Sequence, residues 1–223
     1  MSHGSLSPAQ KLSAPSPVIS SKCYAGMQSE TALALTAPYH MEELEALEGY
    51  LSQGEFEHFI AIGCGNLRYM DVALRFCKTY TAIEPNLQMQ VSPEKHEYLK
   101  RHRHINILGK GLEAVTQDEL PAGRKLFFFL FNVFPYINGA LAAQKKLAGV
   151  GDSIIISSWN NSSFEARRLQ KIYYDYLNST YPGTLDRMES TGYIDEVEKK
   201  SAVFCSSTER LLGKTTDILA LRV

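Results

Sequence analysis

Two short segments of the chain place groups that could hold a nucleoside. An apolar stretch at 58–62 runs into Gly63-Cys64-Gly65, and a second apolar stretch at 80–83 runs into Glu84. Glycines let the backbone approach a ligand closely, and a carboxylate at the end of the next strand can accept the hydroxyl groups of a ribose. The order strand, glycine turn, helix, strand and carboxylate therefore predicts a site for a nucleoside cofactor.

The third glycine of a dinucleotide fingerprint is absent. In G-x-G-x-x-G that glycine lets the helix pack close to the strand, and here Arg68 stands in its place. A pyrophosphate cradle is therefore disfavoured, and a nucleoside without phosphates is expected. Glu84 could alternatively cap the helix that follows it, since anions are favoured at helix N-termini. Cys64 is expected to be a small apolar spacer rather than a nucleophile, because no partner histidine is evident in the sequence.

Two later segments could face a substrate. Asn132, Phe134 and Tyr136 follow the strongly apolar run at 126–131, and Trp159 ends the apolar run that begins at Ser153. Ligands of open α/β sheets bind beyond the carboxyl ends of the strands, so both segments are predicted to lie at the site. An aromatic wall with neighbouring amides would suit a small polar or cationic substrate. The alternative for Phe134 and Tyr136 is a hydrophobic core or lid, and helix capping accounts for part of the polar run at 157–163.

The elements that would position these residues alternate between strand and helix. Strands are predicted at 58–62, 80–84, 104–108, 126–131 and 153–157, helices at 40–52, 67–77, 87–102, 138–148 and 163–178, and an antiparallel hairpin from 202–205 and 216–221. Continuous apolar runs suit strands covered on both faces. The predicted fold is therefore α/β, an open doubly wound, mostly parallel sheet with a C-terminal antiparallel hairpin.

Composition narrows the class of protein. The chain has 223 residues and a net charge of −1, which fits one domain of ordinary size and gives no overall basic character for binding nucleic acid. Its four cysteines form no C-x-x-C pair and no zinc spacing, so neither a metal site nor a disulfide framework is predicted. With no long apolar segment and no secretion signal, the expectation is a cytoplasmic protein that is not membrane-bound. Residues 1–22 are expected to be a disordered tail, 23–54 a helical cap or lid, and 55–223 the cofactor-binding domain.

The order of these segments resembles that of the class I S-adenosylmethionine-dependent methyltransferases, and the resemblance covers about residues 55–223. Residues 59–66 match the first motif of that family, and Ile83-Glu84-Pro85 matches the acidic strand end; the terminal hairpin agrees as well. The resemblance implies S-adenosylmethionine as cofactor. Gly63, Cys64 and Gly65 would then lie against its methionine part, Glu84 and Pro85 at the ribose, and Gly111 and Leu112 beside the adenine. Its reactive end would point to Asn132, and the N-terminal extension, with Tyr24, would form a lid.

The activity implied by this resemblance is methyl transfer to a small molecule, on nitrogen, oxygen or carbon. The segment at 132–136 resembles the Asn-Pro-Pro-Tyr motif of amine methyltransferases, but it has one extra residue and lacks the second proline, so that mechanism is not carried over. No acid–base pair is evident, and positioning of the nucleophile is expected to dominate catalysis. The alternatives are an NAD(P)-dependent oxidoreductase, against which Arg68 argues, and a non-catalytic protein that binds a nucleoside cofactor.

Overall fold

One seven-stranded sheet forms the centre of the computed structural model, which describes residues 26, 27, 29–85, 99, 101–131, 133–137, 139–180 and 193–223. The strands are β1 (His58–Ile62), β2 (Thr79–Ile83), β3 (Ile105–Leu108), β4 (Lys125–Phe129), β5 (Ser153–Trp159), β6 (Ser207–Leu212) and β7 (Thr216–Arg222). Their spatial order is β3-β2-β1-β4-β5-β7-β6. The first five strands are parallel, whereas β7 pairs antiparallel with both β5 and β6. The predicted fold class is confirmed.

The central strands are buried on both faces, as their continuous apolar sequences require. Along β1, Phe59 and Ala61 pack into the core on one side of the sheet, while Ile60 and Ile62 pack into the core on the other. Side chains alternate across a strand, so a strand covered on both faces needs apolar residues at every position. The strand order reverses between β1 and β4, and this switch point is where an open α/β sheet leaves a crevice beyond its carboxyl edge.

In the part of the chain that the structure describes, five α-helices flank the sheet. They are α1 (Glu30–Gln53), α2 (Met70–Phe76), α3 (Ala140–Leu147), α4 (Phe164–Thr180) and α5 (Tyr193–Ser201). Helix α1 begins ten residues earlier than the predicted start at position 40, with Ser29 as its N-cap, and it ends at Gly54 as predicted. Consequently Tyr39 and His40 lie well inside the helix and not at its start.

The C-terminal hairpin forms from different residues than the sequence predicts. Its first strand is β6, Ser207–Leu212, not the apolar segment at 202–205, which follows the end of α5. All six residues of β6 are exposed because it is the edge strand of the sheet. An exposed edge strand carries no hydrophobic alternation, so its sequence gives no strand signal. The second strand, β7, agrees with the prediction.

Some predictions lie outside the described residues. These are the disordered tail at 1–22 and most of the helix predicted at 87–102. None of the helices that the structure describes combines the length and the apolar content needed to cross a membrane.

Glu42 fastens α1 to the turn of the terminal hairpin. Its carboxylate accepts hydrogen bonds from the Thr215 amide at 2.9 Å, the Thr216 amide at 3.0 Å and the Thr216 hydroxyl at 2.9 Å. Partial burial acts to raise the pKa of Glu42, but these hydrogen bonds outweigh it and hold the pKa below its ordinary value. The ionised carboxylate therefore stabilises the docking of α1.

Replacement of Glu42 by alanine is expected to lower the free energy of unfolding by about 1–2 kcal/mol at neutral pH. Because the pKa is depressed in the folded state, the contribution is present above the ordinary carboxyl pKa and is lost as the pH falls through the folded value. Urea denaturation should therefore separate the wild type from Glu42→Ala at neutral pH and bring them together in acid. Met41→Ala, at an exposed neighbouring position, is the control. Equal stabilities at neutral pH would contradict the anchoring role.

Candidate functional site

The turn after β1 is built on two glycines with left-handed backbone. Gly63 has φ 67° and Gly65 has φ 59°, conformations that side chains disfavour. A Cβ atom at Gly63 would also collide with the side chain of Val133. The Gly63 amide donates to the carbonyl of Ile83 at 3.0 Å, so the turn is tied to the end of β2. These constraints explain why the sequence has glycine here. Because glycine has no side chain, the backbone of the turn is uncovered toward the edge of the sheet.

Glu84 joins this turn through its side chain. The Gly65 amide donates to Oε2 of Glu84 at 3.3 Å, and the Glu84 side chain is buried. The backbone of Glu84 is fixed separately, because its amide donates to the Leu108 carbonyl at 3.1 Å. A buried carboxylate is thus held at the carboxyl end of β2, next to the glycine turn, as the ribose prediction requires.

The chain beyond the glycines is unusual in its backbone. Leu67 and Tyr69 have φ 64° and 65°, the left-handed region that costs energy for residues other than glycine. Leu67 is buried in the core. Its packing in the core offsets the cost of this backbone conformation. Arg68, between the two, reaches the wall of the cavity described next.

A cavity opens at the carboxyl edge of the sheet, above β1, β2 and β4. Its walls come from the turn after β1, the end of β2, the loop after β3, the loop after β4, and helices α1 and α4. The lining residues are Met27, Thr36, His40, Ile62, Gly63, Cys64, Gly65, Asn66, Arg68, Ile83, Glu84, Pro85, Gly111, Leu112, Glu113, Leu130, Phe131, Val133, Tyr136, Ile137, Tyr173 and Tyr174.

Most of the residues predicted for the cofactor lie on this wall. They are Gly63, Cys64, Gly65, Glu84, Pro85, Gly111 and Leu112. Asn132 and Tyr24 lie outside the described residues. Burial is the main reason that the Cys64 pKa is raised, with a further contribution from the Glu84 carboxylate. Its thiol therefore stays protonated, which agrees with a spacer and not with a nucleophile.

The residues predicted for the substrate are placed differently from one another. Tyr136 lines the cavity. Phe134 and Trp159 are absent from its lining: Phe134 is buried against Phe129, with ring centroids 4.8 Å apart, and Trp159 is buried against Tyr39 at 4.8 Å. The indole packs behind the cavity wall because the junction of α1 with α4 needs a large apolar group. The position of Trp159 thus does not support a direct substrate contact there.

The polar residues that follow β5 serve the fold. Ser157 hydrogen-bonds to the Tyr39 hydroxyl at 2.6 Å, and Ser163 caps α4 by accepting from the Ala166 amide at 3.3 Å. Asn160 donates to the carbonyl of Gly213 at 2.7 Å and accepts from the Ser162 amide. These groups explain the polar run at 157–163 without a ligand.

The sequence did not reveal the groups that α1 and α4 contribute. Thr36 and His40 come from α1, and Tyr173 and Tyr174 come from α4. Phe131, two residues after the end of β4, completes an aromatic wall. The sequence signal for such a wall was an aromatic residue just after an apolar strand. The strand was predicted to extend to position 131, so this signal selected Phe134 and Tyr136 and not Phe131.

His40 and Glu43 form an acid–base pair one helical turn apart. Nδ1 of His40 lies 3.5 Å from Oε2 of Glu43, whose side chain is fully buried. Glu43 also accepts the Tyr69 hydroxyl at 2.6 Å and the Phe131 amide at 2.7 Å. No such pair was evident from the sequence, and the spacing at i and i+3 on one helix places both groups on the same face.

The pKa values of this pair shift for identifiable reasons. Burial is the largest effect on His40 and lowers its pKa, the Arg68 charge acts in the same direction, and Glu43 opposes both. Burial acts to raise the pKa of Glu43, but its interactions with His40, Tyr69 and the Phe131 amide hold that pKa below the ordinary value. At neutral pH the pair is therefore a neutral imidazole beside a carboxylate.

Among the described residues, no group of three or more histidine, cysteine, aspartate or glutamate side chains is arranged to hold a metal ion.

Comparison with known proteins extends this description. No protein-family model matches the chain, and no curated protein sequence does. Solved structures do match. The N-methyltransferase NodS of Bradyrhizobium japonicum, in complex with S-adenosylhomocysteine, is 14% identical with a TM-score of 0.56, covering 90% of this chain and 95% of its own.

Two further structures agree with that match. Magnesium protoporphyrin IX methyltransferase of Synechocystis, with bound S-adenosylhomocysteine, is 14% identical with a TM-score of 0.55, over 88% of this chain and 89% of its own. An O-methyltransferase family protein of Burkholderia thailandensis is 12% identical with a TM-score of 0.54, over 86% of this chain and 57% of its own. The chain therefore has the fold of the class I S-adenosylmethionine-dependent methyltransferases.

Proposed function

We propose that this protein is an S-adenosylmethionine-dependent methyltransferase that acts on a small molecule. The observation that carries the proposal is the buried Glu84 carboxylate, bonded to the Gly65 amide in the wall of the cavity. A carboxylate fixed beside a glycine turn, at the switch point of an open α/β sheet, is suited to a nucleoside with free ribose hydroxyls. The likeness in fold to methyltransferases that carry S-adenosylhomocysteine supports the same cofactor.

The lining of the cavity fits each part of that cofactor. Glu84 would accept the ribose hydroxyls, and the apolar Leu112, beside Gly111 in the loop after β3, would pack on the adenine. Arg68 would offer a positive charge to the carboxylate of the methionine part, against the bare backbone of Gly63 and Gly65. When bound, the cofactor supplies a methyl group that its sulfonium already activates, so the protein has mainly to position the acceptor.

The other end of the cavity supports a small acceptor with apolar or aromatic character. Phe131, Tyr136, Tyr173 and Tyr174 give it aromatic walls, and Thr36 and His40 add polar groups from α1. Sites of this kind, mostly apolar with a few placed polar groups, are typical of small ligands. We also propose that the N-terminal region at 23–54 forms the cover of the site, since α1 contributes cavity residues.

Calorimetry on the full chain tests the proposal. Titrations with S-adenosylmethionine, S-adenosylhomocysteine and NADH are expected to give binding of the first two only. Methyl transfer is then measured by incubating the protein with methyl-labelled cofactor and a panel of phenols, amines and thiols. Binding of NADH alone would favour an oxidoreductase, and binding of none of the three would refute the nucleoside site.

A further inference from the structure

His40 places an imidazole at the acceptor end of the cavity. Its ring lies 4.6 Å from the ring of Phe131, centroid to centroid, and its side chain is 13% exposed. Nδ1 is buried and makes no hydrogen bond within the described part of the chain, and it lies 3.5 Å from Oε2 of Glu43, within the range of an ion-pair contact. The His40 side chain also lines the cavity, so the ring is accessible from the side that a ligand would occupy.

Glu43 is fixed independently of the histidine. Two of its hydrogen bonds come from other parts of the chain, the Tyr69 hydroxyl after β1 and the Phe131 amide after β4. Phe131 has φ 38°, a strained backbone that turns its amide toward α1. A carboxylate held from two sides beside Nδ1 favours the tautomer that carries its proton on Nδ1, which leaves Nε2 as a proton acceptor.

We propose that His40, oriented by Glu43, accepts the proton of the methyl acceptor during transfer. The inference rests on the proposed function and deepens it, because it selects acceptors whose nucleophile is a protonated group such as a hydroxyl. The nucleophile forms its bond to the methyl carbon while the carbon–sulfur bond breaks and its electron pair passes to sulfur. The acceptor proton moves to Nε2 of His40, and the resulting imidazolium, stabilised by Glu43, later releases that proton to water.

Charged and titratable groups face His40 from several elements. Tyr39 and Glu43 lie on α1, Arg68 and Tyr69 follow β1, Tyr136 follows β4, and Tyr173 lies on α4. The charges of Arg68 and Glu43 act on the His40 pKa in opposite directions, and burial adds to the effect of Arg68. His40 is therefore the free base at neutral pH and becomes protonated only below its ordinary pKa of 6.5.

The first test compares two phenols of similar size. Phenol carries its proton at neutral pH, whereas pentafluorophenol is already ionised. Methyl transfer from labelled S-adenosylmethionine to phenol is expected to fall about 100-fold to 10,000-fold in His40→Gln, and transfer to pentafluorophenol far less. His104→Gln, at an exposed position, is the matched control and should change neither rate. An equal loss with both phenols would mean a structural role and would overturn the proposal.

The second test does not depend on an acceptor. NMR of the full chain with ¹³C-labelled histidine and bound S-adenosylhomocysteine gives the titration midpoint of His40, whose signal is identified by its absence in His40→Gln. A midpoint below 6.5 is expected, and it should fall further in Glu43→Gln because the carboxylate raises the pKa. A midpoint that stays unchanged in Glu43→Gln overturns the pair. Glu43→Asp, which retracts the charge from the ring, replaces Glu43→Gln if that variant does not fold.

Calorimetry separates failure of this inference from failure of the proposed function. If wild type, His40→Gln and Glu43→Gln all bind S-adenosylhomocysteine with similar affinity, the cofactor site stands whatever the phenols show. If the wild type binds no S-adenosylhomocysteine, the proposed function itself fails, and the role of His40 fails with it.

Discussion

Replacement of Glu84 by alanine is expected to weaken the binding of S-adenosylhomocysteine about 100-fold or more. Each hydrogen bond from a ribose hydroxyl to a carboxylate contributes roughly 1.5–3 kcal/mol, and two of them would be lost. The Gly65 amide would also lose the acceptor that it has 3.3 Å away, which loosens the glycine turn against the cofactor. Titration calorimetry on the folded variant measures the change directly.

Two further variants sharpen this test. Glu84→Gln keeps the size of the side chain and one acceptor oxygen but removes the charge, so its affinity should lie between those of the wild type and Glu84→Ala. Glu55→Gln removes an exposed carboxylate just before β1 and should bind normally. If Glu84→Ala retained wild-type affinity, the ribose assignment would be refuted, and Glu84 would be left with holding the turn.

Replacement of Glu43 by alanine is expected to lower the free energy of unfolding by about 2–5 kcal/mol at neutral pH. The change leaves the Phe131 amide without an acceptor, and a buried donor without a partner costs roughly 1–3 kcal/mol. It also removes the 2.6 Å bond from the Tyr69 hydroxyl to a charged group, worth roughly 1.5–3 kcal/mol, although the His40 carbonyl at 3.3 Å remains as a second acceptor for that hydroxyl. For a chain of this size that corresponds to a fall in Tm of roughly 5–15 °C. Thermal unfolding followed by circular dichroism measures it.

The stabilising contribution of Glu43 is expected to depend on pH in a defined direction. The folded-state pKa of Glu43 is depressed, so its contribution is present above the ordinary carboxyl pKa of 4.5 and is lost as the pH falls through the folded value. The difference between wild type and Glu43→Ala should therefore shrink in acid. Glu45→Ala, on the exposed face of the same helix, should unfold within about 0.5 kcal/mol of the wild type. Equal Tm values for wild type and Glu43→Ala would show that the buried carboxylate contributes nothing net.

The parts of the fold that the sequence predicts are those where a local pattern and a buried environment agree. The apolar runs at β1 and β4 lie at the centre of the sheet. Because both faces are buried there, nearly every position in these strands has an apolar residue. The glycines at 63 and 65 are required by a left-handed backbone, and that requirement does not depend on distant residues. The proximity of Glu84 to the glycine turn was also predictable, because both follow neighbouring parallel strands whose carboxyl ends lie side by side.

The other features depend on contacts that are distant in sequence. Strand β6 is exposed throughout, so no hydrophobic pattern marks it. Pro38 lies inside α1, where its ring and missing N–H normally oppose a helix. The helix nevertheless continues, with Ala32 buried before Pro38 and Tyr39 buried after it. His40 acquires a chemical environment only when the loops after β1 and β4 fold against Glu43, and no local pattern records that.

The adjacent residues Glu42 and Glu43 have a consequence for how the protein moves. One holds the turn of the terminal hairpin and the other holds the loops after β1 and β4, so a single turn of α1 is fastened to both halves of the sheet edge. Swinging α1 away would break both sets of bonds and expose a buried charge, so we expect this opening to be unfavourable. We therefore expect α1 to remain docked as a fixed wall of the cavity when ligands enter and leave.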